Sequence, residues 1–270
     1  MIFDFHTHIF PDKIAAGAVA SLAAAASIPA YTDGRASGLL ASMAEAGVDV
    51  SVNLPVLTAP TQFESVLRFA SGLCEGFAAT GRGILSFAGV HPAMPDVRAA
   101  MRRVREAGIL GIKIHPEYQD TFIDDDAYYR LLSAAKEEGL IAVMHAGVDE
   151  AYRDRECRAS APRIARLLDR LGGYPRLVLA HLGGCEPFAE LEEHLLGREV
   201  YLDTAFVLPL LSRESFLRVL ERHGEERLLF ATDSPWQSQA ACLQALRALA
   251  LPERVMSALL TKNPKALLGL

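Results

Sequence analysis

The stretch Ile2-Phe3-Asp4-Phe5-His6-Thr7-His8 decides how the rest of the chain is read. It is a short apolar run that ends in two histidines one residue apart. Side chains on a strand alternate faces with a period of two, so His6 and His8 point the same way where the strand runs out. Two imidazoles at that spacing can grip one metal ion, because a Zn–N bond is only about 2.0–2.1 Å long. An isolated His-x-His is more often a hydrogen-bonded surface pair. Later strands that also end in a potential ligand shift the balance.

Outward from this stretch, seven further apolar runs read as strands. They are Val48–Pro55, Gly83–Val90, Ile109–Ile114, Leu140–Met144, Arg176–Ala180, Val200–Asp203 and Arg227–Ala231. Helices are expected between them over Ile14–Ala26, Ser37–Ala46, Thr61–Ala79, Pro95–Ala107, Asp124–Glu138, Ala161–Leu171, Glu186–Leu196 and Ser212–His223, with a helical tail from Gln237. Gly47 is placed as a helix C-cap, Thr61 and Glu64 form a capping-box pattern, and the Asp124–Asp126 carboxylates suit the positive end of a helix dipole. Strands that are continuously hydrophobic rather than alternating indicate a parallel sheet covered on both faces. Eight such βα units in 270 residues, with no shift in composition, predict one α/β domain over residues 1–270. The expected architecture is a (β/α)8 TIM barrel with extra C-terminal helices. No Gly-x-Gly-x-x-Gly follows the first strand, which argues against a dinucleotide-binding sheet.

A net charge of −6 disfavours a nucleic-acid partner, whose phosphates need Lys and Arg. No run approaches the roughly 18 apolar residues of a membrane span. The Ala-rich Ile14–Ala26 follows an acidic, histidine-bearing strand instead of a basic leader and reads as a helix, not a signal peptide. Cys74, Cys157, Cys185 and Cys242 are scattered without a Cys-x-x-Cys and read as reduced packing residues of a cytoplasmic protein. A homodimer is the expectation by base rate.

In a barrel of this kind the active site lies at the C-terminal strand ends. His6 and His8 follow the first strand and His91 the third, while Lys113 and His115 mark the fourth. His145 follows the fifth, His181 the sixth and Asp233 the eighth. The segments Asp4–His8, Gly111–Pro116, His145-Ala146-Gly147, Ala180–Gly184, Ala231–Pro235 and Asn263–Leu268 give the chain a specific look. In this order it resembles the amidohydrolase superfamily, in particular the amidohydrolase-related branch that contains the aminocarboxymuconate semialdehyde decarboxylase-like enzymes.

The resemblance implies that His6, His8, His145 and Asp233 bind a divalent metal and that Asp233 and His181 are catalytic. The donor set suits zinc, with manganese, iron or cobalt as alternatives. Such an ion lowers the pKa of bound water towards about 7, and Asp233 can take the proton and pass it to a leaving group. Lys113 has three readings: a carboxylated bridge between two ions, an ammonium that grips a substrate carboxylate, or a lysine in an ordinary ion pair. One ion with a cationic Lys113 is preferred. His115, His91, Arg35 and Trp236 are further substrate-pocket candidates, with Tyr31 beside Arg35 in the loop after the first strand. His194 and His223 read as surface residues. The Arg-rich Tyr152–Arg158 would select an anionic substrate if it folded over the barrel mouth.

The leading function is hydrolysis of a small ester, lactone or amide, with a carboxylate-bearing small molecule as substrate. Non-oxidative decarboxylation of an aromatic or muconate-type acid uses the same residues. A nuclease like the TatD-type deoxyribonucleases shares the Gly-Val-His-Pro at Gly89–Pro92. However, Lys113 stands in the region where those enzymes place a glutamate, and the chain is acidic. A barrel that has lost catalysis is the least favoured reading.

Overall fold

All nine strands of the computed structural model, which describes residues 1–184 and 188–270, run parallel to their neighbours and are short. They are β1 (Phe3–Thr7), β2 (Val50–Asn53), β3 (Gly83–Ser86), β4 (Ala88–Gly89), β5 (Gly111–Ile114), β6 (Ile141–Met144), β7 (Leu177–Leu179), β8 (Tyr201–Asp203) and β9 (Leu228–Leu229). Hydrogen bonding divides them into β1-β2-β3 and β4-β5-β6-β7-β8-β9. β3 and β4 are one run interrupted at Phe87, and its first half pairs with β2 while its second pairs with β5. At the other seam Phe5 N–H donates to Phe230 O at 2.9 Å, Asp233 N–H to His6 O at 2.9 Å, and Thr7 bridges Ser234. The two sheets therefore follow one another around a common axis as eight strand positions, in the order expected of the barrel.

The continuous hydrophobicity of the strands has two causes. Ile112, Ile114, Met144, Leu177 and Leu202 pack outward against helices α5 (Asp126–Glu137) and α6 (Ala161–Leu171) through Leu131, Leu132, Ile164 and Leu168. Phe3, Phe5, Val50, Val52, Phe87, Val143, Val178 and Leu229 fill the other side. Each strand thus has apolar residues on both faces. β1 contains the useful irregularity. Its register with β2 runs from Asp4↔Ser51 to Thr7↔Asn53, three steps against two, so one residue bulges. The bulge lets Phe5 enter the apolar interior while His6, next to it, lines the cavity above.

Several helix boundaries differ from expectation. The helix expected over Thr61–Ala79 is a 3-10 turn at Pro60–Gln62 followed by α3 (Phe63–Thr80). Thr61 is not its cap, because the Gln62 side chain accepts from Thr58 N at 2.8 Å and Glu64 is drawn into an ion pair with Arg103. Asp96, not Pro95, opens the next helix by accepting from Ala99 N at 2.9 Å. The tail is broken at Pro252 into Gln239–Ala248, Glu253–Ser257 and Asn263–Leu268, with a π turn at Ala258–Lys262. The expected helix Glu186–Leu196 is seen from Phe188 to His194, and Glu186 and Cys185 lie outside the described residues. His223 is half-buried, its ring holding Gly197 N and Val200 O.

After β7 the chain turns through His181, Leu182, Gly183 and Gly184, all with positive φ. A Cβ on Gly184 would lie 2.5 Å from Gly147 Cα, so the loops after β6 and β7 touch backbone to backbone. Only glycine permits both that contact and that dihedral. No helix among the described residues is long and apolar enough to cross a membrane.

Candidate active site

His6 and His8 project from the end of β1 towards Asp233, which follows β9. Their Nε2 atoms are 3.2 Å apart, and Asp233 Oδ1 lies 3.4 Å from His6 and 3.1 Å from His8. The far nitrogens fix the tautomers. His6 Nδ1 is 2.8 Å from Asp203 Oδ2 and His8 Nδ1 is 2.8 Å from Leu54 O. A carboxylate and a carbonyl only accept, so each Nδ1 carries the hydrogen and each Nε2 presents a lone pair to the centre. Three acceptor atoms thus converge within hydrogen-bond distance and favour a cation among them; Lys113 Nζ reaches His6 Nε2 at 3.0 Å, and among the described residues no cation is shown on His8 Nε2. Ligands held on one ion by bonds of about 2.0–2.2 Å are themselves roughly 3–3.5 Å apart. The donor set fits a divalent metal.

The remaining strand ends close the ring. Asp203, at the end of β8, accepts from His181 N and Ala205 N at 3.0 Å each, in addition to His6. His181 Nδ1 is 3.0 Å from Ala205 O, which turns Nε2 towards His145 Nδ1 at 3.1 Å. His145 Nε2 is buried and has no hydrogen-bond partner. His145 stacks on His115 at 4.1 Å, and His115 stacks in turn on Tyr118 at 4.1 Å. With Asp149, whose Oδ2 is 3.5 Å from His115 Nε2, they form a second group with metal-ligand spacing. Lys113 extends from β5 with its Nζ 3.0 Å from His6 Nε2 and is 1% exposed.

Burial sets the charges here. It lowers the pKa of His6, His115 and His145 well below the usual imidazole value, with the neighbouring cations adding to the effect, so these rings stay neutral. Burial also pushes Lys113 down to about 8, against the pull of Asp203, Asp233 and Asp149. Asp149 is pushed up to about 6 and Asp203 is raised, again chiefly by burial. Asp233 is the exception. Burial would raise it, and a proton on His8 Nε2 or charge on the imidazoles around it is what would hold it below the ordinary carboxylate value.

These groups line the floor of a cavity of about 530 Å³ at the C-terminal strand ends. His6, His8, Lys113, His115, His145, His181, Asp233 and Trp236, all expected from sequence, line it together. His91 and Arg35 are not among its lining residues. His91 accepts from Ala93 N at 3.1 Å within its own turn, and Arg35 pairs with Asp33. Of the Arg-rich stretch, Arg153 lines the cavity and is paired with Glu150, while Arg158 is tied to Glu117 and Asp120. Sequence reading missed Asp203, Asp149 and Tyr118. Asp203 ends the seventh strand and carries the same signal as the histidines; Asp149 and Tyr118 lie in loops without a pattern.

A family model described as amidohydrolase matches residues 3–270. A search of curated proteins finds no match. Among solved structures, the chain is similar to 5-carboxyvanillate decarboxylase from Sphingomonas paucimobilis, at 19% identity and TM-score 0.70, covering 100% of this chain and 99% of that one. A protein assigned as a 2-pyrone-4,6-dicarboxylic acid hydrolase from Pseudomonas putida matches at 18% identity and TM-score 0.68, covering 99% and 97%. The 5-carboxyvanillate decarboxylase of Novosphingobium aromaticivorans, complexed with manganese and 4-hydroxy-3-methoxy-5-nitrobenzoic acid, matches at 14% identity and TM-score 0.73, covering 100% and 96%.

Proposed function

Because this chain belongs to the amidohydrolase family and is an enzyme of that superfamily, we propose that it hydrolyses a small ester, lactone or amide with a metal-activated water. The residues proposed to hold the ion are His6, His8 and Asp233; His145, expected as a further ligand, falls in the second group with His115 and Asp149. Neutral imidazoles and a carboxylate favour zinc, and the manganese in a structural neighbour keeps that ion in play. The match over residues 3–270 supports reading the chain as one catalytic domain. When bound, the ion would lower the pKa of its water towards about 7.

The observation that carries hydrolysis is the position of Asp233, whose Oδ1 lies 3.1 Å from His8 Nε2 and 3.4 Å from His6 Nε2. A carboxylate at that point accepts a proton from attacking water held beside the two imidazoles and relays it to the leaving group. Decarboxylation needs the opposite, an acid that delivers a proton to carbon. His181, placed by Asp203 and Ala205 with its Nε2 beside His145, lines the same cavity as the second proposed catalytic residue. Lys113, with its Nζ 3.0 Å from His6 Nε2, holds the carboxylate that hydrolysis releases.

A second reading, non-oxidative decarboxylation, is favoured by Lys113, a buried cation beside His6 that suits a carboxylate about to be lost. Turnover in heavy-oxygen water and in deuterium oxide separates the two. Hydrolysis places one water oxygen in the product acid. Product that carries deuterium on carbon, with carbon dioxide released, would overturn the hydrolase reading in favour of the second.

A further inference from the structure

Above its polar floor the cavity is mostly apolar, with Thr58, Gln62 and Ser65 on one side and Glu150 and Arg153 near the turn that meets α1 (Asp12–Ala26). The cavity wall is built largely by α1, whose Ile14, Ala18, Leu22 and Ala26 recur every four residues and so fall along one side of the helix. Phe69 from α3 and Leu210 from the loop after β8 also line it, and Ile14 and Leu210 are exposed at 55% and 73%. Ala18 and Ala26 leave room along this wall that larger side chains would take up. The α1 helix also contacts the Glu150–Tyr152 turn, which places it across the mouth.

The charges lining this cavity limit what can enter. The acids are Asp149, Glu150 and Asp233, and the cations are Lys113 and Arg153. Arg153 is paired with Glu150, and Lys113 lies in the field of Asp203, Asp233 and Asp149. A substrate with two carboxylates would therefore have one anchor and a surplus of like charge.

We propose, resting on the hydrolase reading above, that the substrate is an ester or lactone whose acyl part is an apolar chain with no second carboxylate. The chain lies along α1, and its carbonyl reaches the His6–His8–Asp233 end. Water adds to the acyl carbon, the C–O bond breaks, the alcohol leaves with a proton, and the chain departs as its carboxylate with release of one proton. This differs from the compact, multiply oxygenated acids named for the structural neighbours. Each methylene buried is worth about 0.8 kcal/mol, so affinity rises about fourfold per added CH2 until the cavity is filled.

Trp236 is the chain's one tryptophan and lines the cavity, so its fluorescence reports occupancy without turnover. The metal-loaded protein is titrated with butyrate, octanoate, decanoate and decanedioate. The expected result is binding that tightens roughly fourfold per methylene along the monoacids, and decanedioate at least tenfold weaker than decanoate. Equal binding of decanoate and decanedioate, or no dependence on length, overturns the proposal. Ala18→Phe should remove the preference for long chains, while Ala16→Phe, on an exposed position of α1 outside the cavity lining, should keep it. If Ala18→Phe fails to fold, Leu22→Ala serves, with an expected loss of about tenfold for decanoate and little for butyrate; equal losses for both overturn the proposal. Length-dependent binding without hydrolysis of any ester in the series would retain the apolar site and sink the hydrolase reading. Ester hydrolysis with a flat chain-length profile would do the reverse.

Discussion

Asp203→Asn separates metal binding from folding at one atom. In the native protein Asp203 Oδ1 accepts from His181 N and Ala205 N, both at 3.0 Å, while Oδ2 faces His6 Nδ1 at 2.8 Å. Asparagine keeps an oxygen for the two backbone donors and places an N–H₂ donor against His6. The imidazole must then accept at Nδ1 and carry its hydrogen on Nε2, the nitrogen that meets His8 and Asp233. Loss of such an orienting partner typically costs about 10–100-fold in metal affinity, or roughly 1.4–2.8 kcal/mol. The cost to the fold is about 1.5–3 kcal/mol, that of a hydrogen bond to a charged group. Asp203→Ala would add about 1–3 kcal/mol for each backbone N–H left unpaired. Competition against a chromophoric chelator measures the affinity, and thermal unfolding of the metal-free protein measures the fold. A metal affinity within threefold of wild type, in a folded Asp203→Asn protein, would show that Asp203 does not set the His6 tautomer and would refute the reasoning.

Two further outcomes follow from the same geometry. His6, His115 and His145 are kept neutral by burial, so below their unfolded value near 6.5 the unfolded chain binds more protons than the folded one. Stability is therefore fully present above about pH 6.5 and is lost as pH falls, by up to about 1.4 kcal/mol per pH unit for each ring. Urea titrations of the metal-free protein between pH 7.5 and 5 check this, and a flat profile contradicts it. Gly184→Ala forces a Cβ to within 2.5 Å of Gly147 Cα at φ +86°. A left-handed alanine costs roughly 1–2 kcal/mol and backbone overpacking about 1–3 more. The melting temperature should drop by roughly 5–15 °C, and a drop under 2 °C would show that the two loops move apart freely.

The strand-end residues were legible because a parallel strand buried on both faces leaves its polar residues nowhere but its end. Lys113, flanked by Ile112 and Ile114, and Asp233, after Phe230 and Ala231, both stand out on that ground. His145 and His181 did so as well, and the structure brings them within 3.1 Å. The bulge in β1 was not legible. Period-two alternation puts Phe5 and His6 on opposite faces, and only the register against β2 reveals the extra residue. Asp203 carried the signal but was read as part of its strand. His91 and Arg35 were drawn in by position alone. His91 satisfies its own turn and Arg35 its neighbour Asp33, so local bonding took both from the cavity. The apolar wall was hidden as well: Ile14, Ala18, Leu22 and Ala26 read as an ordinary helix stripe until the cavity appeared beside them.

The central claim is that His6, His8 and Asp233 hold a divalent ion. Elemental analysis of protein purified without chelators, wild type beside Asp233→Ala, tests it most directly. The account predicts about one equivalent of a divalent metal per chain in the wild type, and its loss from an Asp233→Ala protein whose circular dichroism is unchanged. Two equivalents would place the second ion on a carboxylated Lys113 or in the His115–His145–Asp149 group. A wild type that neither contains nor takes up metal, or an Asp233→Ala protein that retains it fully, would contradict the account.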